Sequence, residues 1–358
     1  MQSDPGTLIE LPKEFKPLLA DLETPVFDGP ISPLAKKFQT PEHQDLPHRK
    51  LPTIALVTMT KNGIKKLPNL FASVVGFVNK AIILDTGSTD GTIEWLHSQK
   101  FFPAQWKIEP FVNFEVSRNK LMELAKDSAD WLLLLDDDMG LSFDEPVEAI
   151  KRKLNPAFGA YLLQHDHKTL TYWVGRLVRG NRDWRYRGVT HEYLEGSGFG
   201  NPQMTGVKVW HIYGHPPEKF TRDLTLLSAD IARDPNDART IFYLANTLRD
   251  MGQTRAAILF YEMRVKMGGW DQEVYDAMYE AARLAKDPVA MMKAHTFRPQ
   301  RAEAAAWLSG YYKFIEVNRE AHAQWESIRA AIPMTNDVLF VKPMAYGPQF
   351  AAKLESYK

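Results

Sequence analysis

The chain has 358 residues, 44% of them apolar, which is enough for a full core and for two domains, so a lone small binding module is excluded. Lysine plus arginine and aspartate plus glutamate each number 44, and the resulting zero net charge leaves no whole-chain field drawing the protein to nucleic acid or anionic lipid. With zero cysteines there is no disulfide, thiolate metal site or cysteine nucleophile, and a bound metal would take oxygen and imidazole ligands.

Residues 1–13 lack a basic segment followed by an apolar stretch, and no apolar run approaches the ~20 residues a spanning helix needs. The expectation is a cytoplasmic protein without a transmembrane segment. Residues 1–50 mix prolines with charges and show no sustained period, which reads as an extended arm. Residues 53–59 are a short β-rich apolar run, residues 65–78 carry apolar positions at helical spacing, and residues 80–85 form a second buried strand.

Residues 92–99 then read as a helix, 106–109 as a strand, 116–126 as a helix and 131–136 as a strand. Strands alternating with helices imply a mostly parallel sheet with packed crossovers, which binds ligands at the carboxyl ends of its strands. Shorter strands are expected over 161–164, 172–178 and 208–212. After Pro217 the period becomes helical until about Ala331, with Leu244, Ala245, Leu248, Gly252, Ala257 and Tyr261 at the small-and-large spacing of a tetratricopeptide helix pair. Leu308, Ser309, Tyr312, Ala321, Trp325 and Pro333 repeat that spacing more loosely. The division is an arm over 1–50, an α/β domain over 51–216, a helical domain over 217–335 and a tail over 336–358.

Two polar clusters end buried strands. Trp131-Leu-Leu-Leu-Leu-Asp136-Asp137-Asp138 puts three carboxylates side by side, where they repel unless a cation sits among them. Mg²⁺ or Mn²⁺, bridging carboxylates to a diphosphate, suits an all-oxygen site; the plain alternative is a solvated turn. Asp85-Thr-Gly87-Ser-Thr-Asp90-Gly91-Thr92 follows the second strand. Its small residues, Gly87 among them, would let a nucleotide approach the backbone, with Asp85 accepting hydrogen bonds from base or ribose. The plain alternative there is a helix cap.

On these residues the chain resembles the family 2 glycosyltransferases, and within them the branch with a tetratricopeptide-like C-terminal domain. The matching segments come in order: Thr58-Met-Thr-Lys61-Asn62, the Asp-Thr-Gly-Ser-Thr-Asp segment from Asp85, Ser117-Arg118-Asn119 and the aspartates from Asp136. Gly188-Val-Thr-His191-Glu192-Tyr193-Leu194, Phe242-Tyr-Leu-Ala245 and Met267-Gly-Gly-Trp270-Asp271 follow. The match runs from about Thr53 to Val341 and leaves the arm uncovered. One departure is Asp137, where relatives have a small residue within Asp-x-Asp; it is either a spare carboxylate or a further ligand.

The resemblance implies a GT-A fold, a mostly parallel mixed sheet with flanking helices, followed by an all-α tetratricopeptide-like domain. It implies a nucleoside diphosphate sugar, a UDP-sugar foremost, used with Mn²⁺ or Mg²⁺ and transferred with inversion. Thr58, Asp85, Gly87, Arg118, Asp136 and Asp137 would line the donor, with Asp136 and Asp138 holding ribose and metal. Inversion needs a base for the acceptor hydroxyl; Glu192 is the candidate and Asp166 the alternative, Glu192 otherwise pairing with Arg182, Arg185 or Arg187.

His211, in preference to His215, would close the metal shell, and His165 and His167 around Asp166 resemble a metal cluster by composition alone. Arg176, Arg179, Arg182, Arg185 and Arg187 alternate with Tyr172, Trp173, Trp184 and Tyr186, a pattern that suits a polyanion, a stacked base or a sugar ring. Trp184, Arg182, Arg185, Arg187 and His191 are therefore expected on the acceptor side. The acceptor stays open among a bacterial or viral surface glycan, a protein and a hydroxymethylated base in phage-type DNA, with the helices contacting acceptor or partner. Two other classes compete: an inactive GT-A scaffold with helical repeats, and a nucleotidyltransferase, which would want more glycine near the first strand than Gly63 alone.

Overall fold

The computed structural model describes residues 50–167, 170–196, 202–211, 218–337 and 340–355. The chain divides into two compact units at Pro217/Glu218. The first is built on an eight-stranded sheet in the order β3-β2-β1-β4-β7-β6-β10-β5. Strands β1 (Ile54–Thr60), β2 (Lys80–Asp85), β3 (Ala104–Ile108) and β4 (Trp131–Leu134) are mutually parallel, while β7 (Leu170–Arg179) runs antiparallel to both β4 and β6 (Ala160–His167). Strand β10 (Gln203–His211) lies parallel to β6, and β5 (Met139–Phe143) closes the edge antiparallel to it. This mixed sheet with flanking helices, followed by an all-α unit, is the expected GT-A architecture.

Strand β4 is wholly apolar, and β1 and β2 carry apolar runs, Ile54–Val57 and Ala81–Leu84, because both faces are covered. One face, with Ile54, Leu56, Ile83 and Leu133, packs on Leu70 and Phe71 of α1 (Leu67–Ser73) and on Ile150 of α4 (Val147–Arg152). The opposite face, with Ala55, Val57, Ile82 and Leu134, packs on Leu121 and Met122 of α3 (Phe114–Ala125). Helix α1 is shorter than its apolar spacing predicts because Gly76 turns the chain with φ +79°. Helix α2 (Thr92–Ser98) follows the Asp85–Thr92 loop, and a two-stranded ribbon, β8 (Trp184–Arg187) and β9 (Tyr193–Gly196), lies outside the main sheet. Strands β5, β8 and β9 were not expected.

The second unit holds helices α5 (Glu218–Arg233), α6 (Ala238–Asp250), α7 (Thr254–Met267), α8 (Asp271–Ala285), α9 (Pro288–Phe297), α10 (Ala302–Phe314) and α11 (Arg319–Ala331). Each packs mainly on its sequence neighbours, as in a solenoid. Asp237 caps α6 by accepting from Arg239 N (2.9 Å), and Asp287 caps α9 beside Pro288, which needs no donor at that position. Ala257 and Tyr261 of α7 are fully buried, and the Tyr261 hydroxyl donates to Asn246 Oδ1 of α6 (2.6 Å). Residues 340–355, expected as a tail, instead complete this core: Ala345, Tyr346, Phe350 and Leu354 are buried among Tyr275, Tyr279, Trp307 and Leu308. Leu354 and Phe350 belong to α12 (Pro348–Glu355).

Candidate active site

Both acidic motifs lie at the carboxyl edge of the parallel strands. In the β1–β4 register Val57 faces Leu134, so three residues further along each strand Thr60 stands level with Asp137. The Thr60 hydroxyl accordingly donates to Asp137 Oδ2 (2.7 Å), and Lys66 Nζ reaches Oδ1 (3.1 Å). Burial pushes the Asp137 carboxyl up, with Lys66 working against it. Asp137 thus tethers the two strands, with one protein partner on each of its oxygens. Gly63 is required beside it, since a Cβ there would lie 2.2 Å from Thr60 Oγ1.

The Asp85 loop is laced to itself. Asp85, fully buried, accepts from Gly87 N (2.9 Å), Ser88 N (2.8 Å) and the Ser88 hydroxyl (2.5 Å), so it shapes the turn and cannot face a nucleoside as expected. Asn62 Oδ1 accepts from Thr89 N (2.8 Å), and Asp90, one residue before the Gly91 N-cap of α2, accepts from Thr92 N (3.1 Å). Gly87, at φ +100°, is exposed on this rim together with Thr89 and Asp90. Thr58 is also fully buried, within β1, too deep to line a ligand as expected.

Helix α3 assembles the other side of the site. Asn113 caps it, accepting from Val116 N (2.8 Å), and Ser117-Arg118-Asn119 lies one turn in. Asn119 clamps β8 through both Tyr186 backbone groups: its Nδ2 donates to Tyr186 O (3.0 Å) and its Oδ1 accepts from Tyr186 N (2.8 Å). The Tyr186 ring is thereby held 5.3 Å from the Arg118 guanidinium, with Phe114 at 5.9 Å. Arg118 Nη2 pairs with Asp136 Oδ1 (2.5 Å), and Arg118 Nε pairs with Glu192.

Arg118, with its side chain only 12% exposed, is therefore occupied by two carboxylates and two rings. Burial works against its charge, but Asp136 and Glu192 outweigh it and hold the proton more tightly than usual. The plain alternative for Glu192, a pairing with Arg182, Arg185 or Arg187, thus gives way to a pairing with Arg118, the residue expected beside the diphosphate. Glu192 is carried by a tight turn: His191 adopts φ +51°, Gly188 adopts φ +104°, and Gly188 N donates to Glu115 Oε2 (2.7 Å).

From Asp136 the polar chain continues across the sheet. Arg176 Nη1 of β7 lies 3.8 Å from Asp136 Oδ2, and its Nε donates to His165 Nε2 of β6 (3.4 Å). His165 Nδ1 in turn lies 3.0 Å from His211 Nε2 of β10, with Tyr172 stacked on the His165 ring. Burial opposes ionisation of Asp136, but Arg118 and Arg176 hold its carboxyl well below the usual range. Asp138 is the contrasting group: burial, then the charges of Asp136 and Asp137, push it up to about 6. It is the carboxylate of the three that a cation would relieve.

That contrast bears on the expected metal. Among the described residues no three His, Cys, Asp or Glu side chains converge into a closed cage. A sparse set fits Mg²⁺ or a similar ion, which binds through one or two carboxylates and completes its shell with substrate phosphates and water. Asp138 fits that role; the other two expected ligands already have protein partners, Asp136 in Arg118 and His211, through Nε2, in His165. The side chains of Asp166 and His167, and all of His215, lie outside the described residues.

The basic and aromatic alternation has a different origin from the expected one. In β8, Trp184 and Tyr186 turn to the core while Arg185 and Arg187 are exposed on the opposite face, as period-two alternation requires. Trp184 donates from Nε1 to Arg179 O (2.9 Å) and covers Gly196, where a Cβ would lie 2.1 Å from its ring. Arg187 pairs with Glu195 (2.8 Å). Trp184, Arg185 and Arg187 are thus parts of a ribbon and not of one acceptor surface, while Arg182 and His191 are half-buried on the turns that flank it. Lys66 and Thr60 belong to the site's framework and were not expected in it; Asn119, named only in the matching segment, and Arg176, named only in the basic and aromatic alternation, join them. The register of β1 against β4 was the available signal for Thr60.

No family model matches the chain. A TPR repeat-containing protein of Synechococcus elongatus is similar at 25% identity over 254 residues, 65% of this chain and 62% of that protein. The SPbeta prophage-derived glycosyltransferase SunS of Bacillus subtilis is similar at 23% identity over 222 residues, 58% of this chain and 52% of that protein. The chain thus spans less than two thirds of the length of these curated relatives. Among solved structures, S. aureus TarS 1–349 aligns with 78% of this chain and 93% of that chain at 11% identity and a TM-score of 0.34. GalNAc-T7, solved with UDP, GalNAc and Mn²⁺, aligns with 60% of this chain and 56% of that chain at 12% identity and a TM-score of 0.32.

Proposed function

We propose that this chain is a glycosyltransferase of family 2 that moves a sugar from a nucleoside diphosphate donor, a UDP-sugar foremost, to an acceptor hydroxyl with inversion. The observation that carries the reading is Asp138. Its carboxylate sits at the carboxyl edge of a parallel sheet beside an ion-paired Asp136, and its raised proton affinity marks a place short of positive charge. The similarity to a glycosyltransferase over 58% of the chain points the same way.

In this reading the Asp85 loop and the Asn62 turn form a rigid rim for the nucleotide, and Asp138 holds Mn²⁺ or Mg²⁺. The ion supplies positive charge against the leaving diphosphate. Arg118 fixes Asp136 and Glu192 at one centre. Glu192, or Asp166 in its place, takes the acceptor proton as the acceptor oxygen forms its bond to the anomeric carbon, and the electron pair of the breaking bond leaves with the diphosphate. Glycan and protein acceptors suit this arrangement; the ribbon's split faces remove the main support for DNA. Incubation with Mn²⁺ and a panel of nucleotide sugars, reading released nucleoside diphosphate, tests the proposal. Turnover that Asp138→Asn abolishes is expected, and absence of both binding and turnover across the panel would contradict it.

A further inference from the structure

Two arginines at the carboxyl edge of the sheet are committed to the framework. Arg118, 12% exposed, pairs with Asp136 and Glu192, and Arg176, 13% exposed, lies between Asp136 and His165. Lys66 differs from both. Its side chain is 42% exposed, and its ammonium meets one side chain among the described residues, Asp137 Oδ1 at 3.1 Å. An ammonium carries three donors, so Lys66 can keep Asp137 and still donate to a second acceptor.

The main chain of Lys66 is fixed while its stem reaches outward. Lys66 N donates to Gly63 O (2.9 Å), Lys66 O accepts from Asn69 N (3.0 Å), and the next residue, Leu67, is fully buried. Asp137 is fixed as well, since the Thr60 hydroxyl holds its other oxygen (2.7 Å). The pair therefore stations a partly hydrated ammonium on the residue adjacent to Asp138. Burial raises the proton affinity of Asp137 and Asp138, and the Lys66 charge opposes that rise at both, so its field reaches the carboxylate assigned to the ion. A diphosphate carries more negative charge than one divalent ion neutralises. The accessible cation beside that ion's carboxylate is placed to take the remainder.

We propose that Lys66 is a further donor-binding residue, whose ammonium keeps Asp137 and donates to an oxygen of the outer phosphate of the nucleoside diphosphate. The inference rests on the glycosyl-transfer reading and adds to it a protein cation for the leaving group. As the bond between the anomeric carbon and the phosphate oxygen breaks, its electron pair stays on that oxygen. The acceptor oxygen supplies the new bond, and the acceptor proton goes to the carboxylate base. Lys66 keeps its own proton throughout and stabilises the charge that grows on the outer phosphate. Asp137, by which the acidic run departs from Asp-x-Asp with a small centre, is then the anchor that aims this lysine.

The test is calorimetric titration of UDP and of UMP into the full chain with Mn²⁺, for the wild type, Lys66→Met and Lys66→Arg. The two nucleotides share their nucleoside, and only UDP carries the outer phosphate. Lys66→Met is expected to weaken UDP about tenfold and UMP less than about twofold, the loss of one charge-assisted hydrogen bond, with Lys66→Arg recovering most of the difference. Should Lys66→Met melt early, adding Asp137→Asn removes the stranded charge together with its partner, and the same UDP-selective loss is expected. UDP binding unchanged in the methionine variants overturns the inference, as do UDP and UMP weakened alike, which a purely structural lysine would give. Both of those results leave the glycosyl-transfer reading standing. A wild type that binds neither nucleotide contradicts that reading and this inference together.

Discussion

Asn119 grips Tyr186 by both of its backbone groups, at 3.0 and 2.8 Å, and so fixes the ring on which the Arg118 guanidinium rests. One carboxamide on α3 thereby couples a helix to a ribbon outside the main sheet. Asn119→Ala removes both partners of a half-enclosed backbone unit and should cost about 2 kcal/mol, the range for stranded polar groups. Urea unfolding measures it, with Asn119→Asp, which keeps only the acceptor, expected at an intermediate value.

Arg118 balances two carboxylates, so its removal strips Glu192 of this partner and leaves Asp136 with the more distant Arg176. Arg118→Met should destabilise the first unit by about 3–5 kcal/mol, the cost of breaking a buried pair from one side. Adding Glu192→Gln should recover part of that loss, whereas Glu192→Gln alone should cost less than Arg118→Met. A thermal-unfolding double-mutant cycle checks this, and additive losses would contradict the shared-partner geometry.

Much of this was legible beforehand. Strands β1, β2 and β4 announce themselves as apolar runs covered on both faces, and the acidic run after Leu135 falls at a strand end as the pattern demands. The Arg118–Glu192 pairing was not legible, because it depends on a ribbon of two four-residue strands whose alternating Trp-Arg-Tyr-Arg reads equally well as an anion-binding patch. Nor was the role of Asp85, since a carboxylate that caps its own loop and one that faces a ligand have the same sequence. The segment around Lys342 carries no period at all, so only the fold discloses that Lys342, Ala345 and Tyr346 are buried.

Gly63 stands where a side chain would meet Thr60 Oγ1 at 2.2 Å and Leu67 at 3.2 Å. Gly63→Ala should therefore push the Thr60 hydroxyl off Asp137 and cost about 1–3 kcal/mol, as overpacking does. In a Thr60→Ala background the same substitution should cost distinctly less. Chemical denaturation of the four proteins decides it.

Asp138, raised to about 6, binds a proton more tightly folded than unfolded, so its charge opposes folding. That opposition is full above pH 6 and fades as the pH falls toward the unfolded value near 4. Asp138→Asn should accordingly stabilise the metal-free protein at pH 7.5 and make little difference at pH 4. Melting temperatures of the two proteins across that range give the comparison; a stability gain that grows toward low pH would have the wrong sign.

The central claim is that Asp138 holds a cation for a nucleoside diphosphate. Calorimetric titration of UDP into the protein with and without Mn²⁺, repeated with Asp138→Asn, tests it most directly. The account predicts binding that requires Mn²⁺ and disappears in Asp138→Asn while the fold persists. UDP binding of equal strength in both proteins, or none in either, would contradict it.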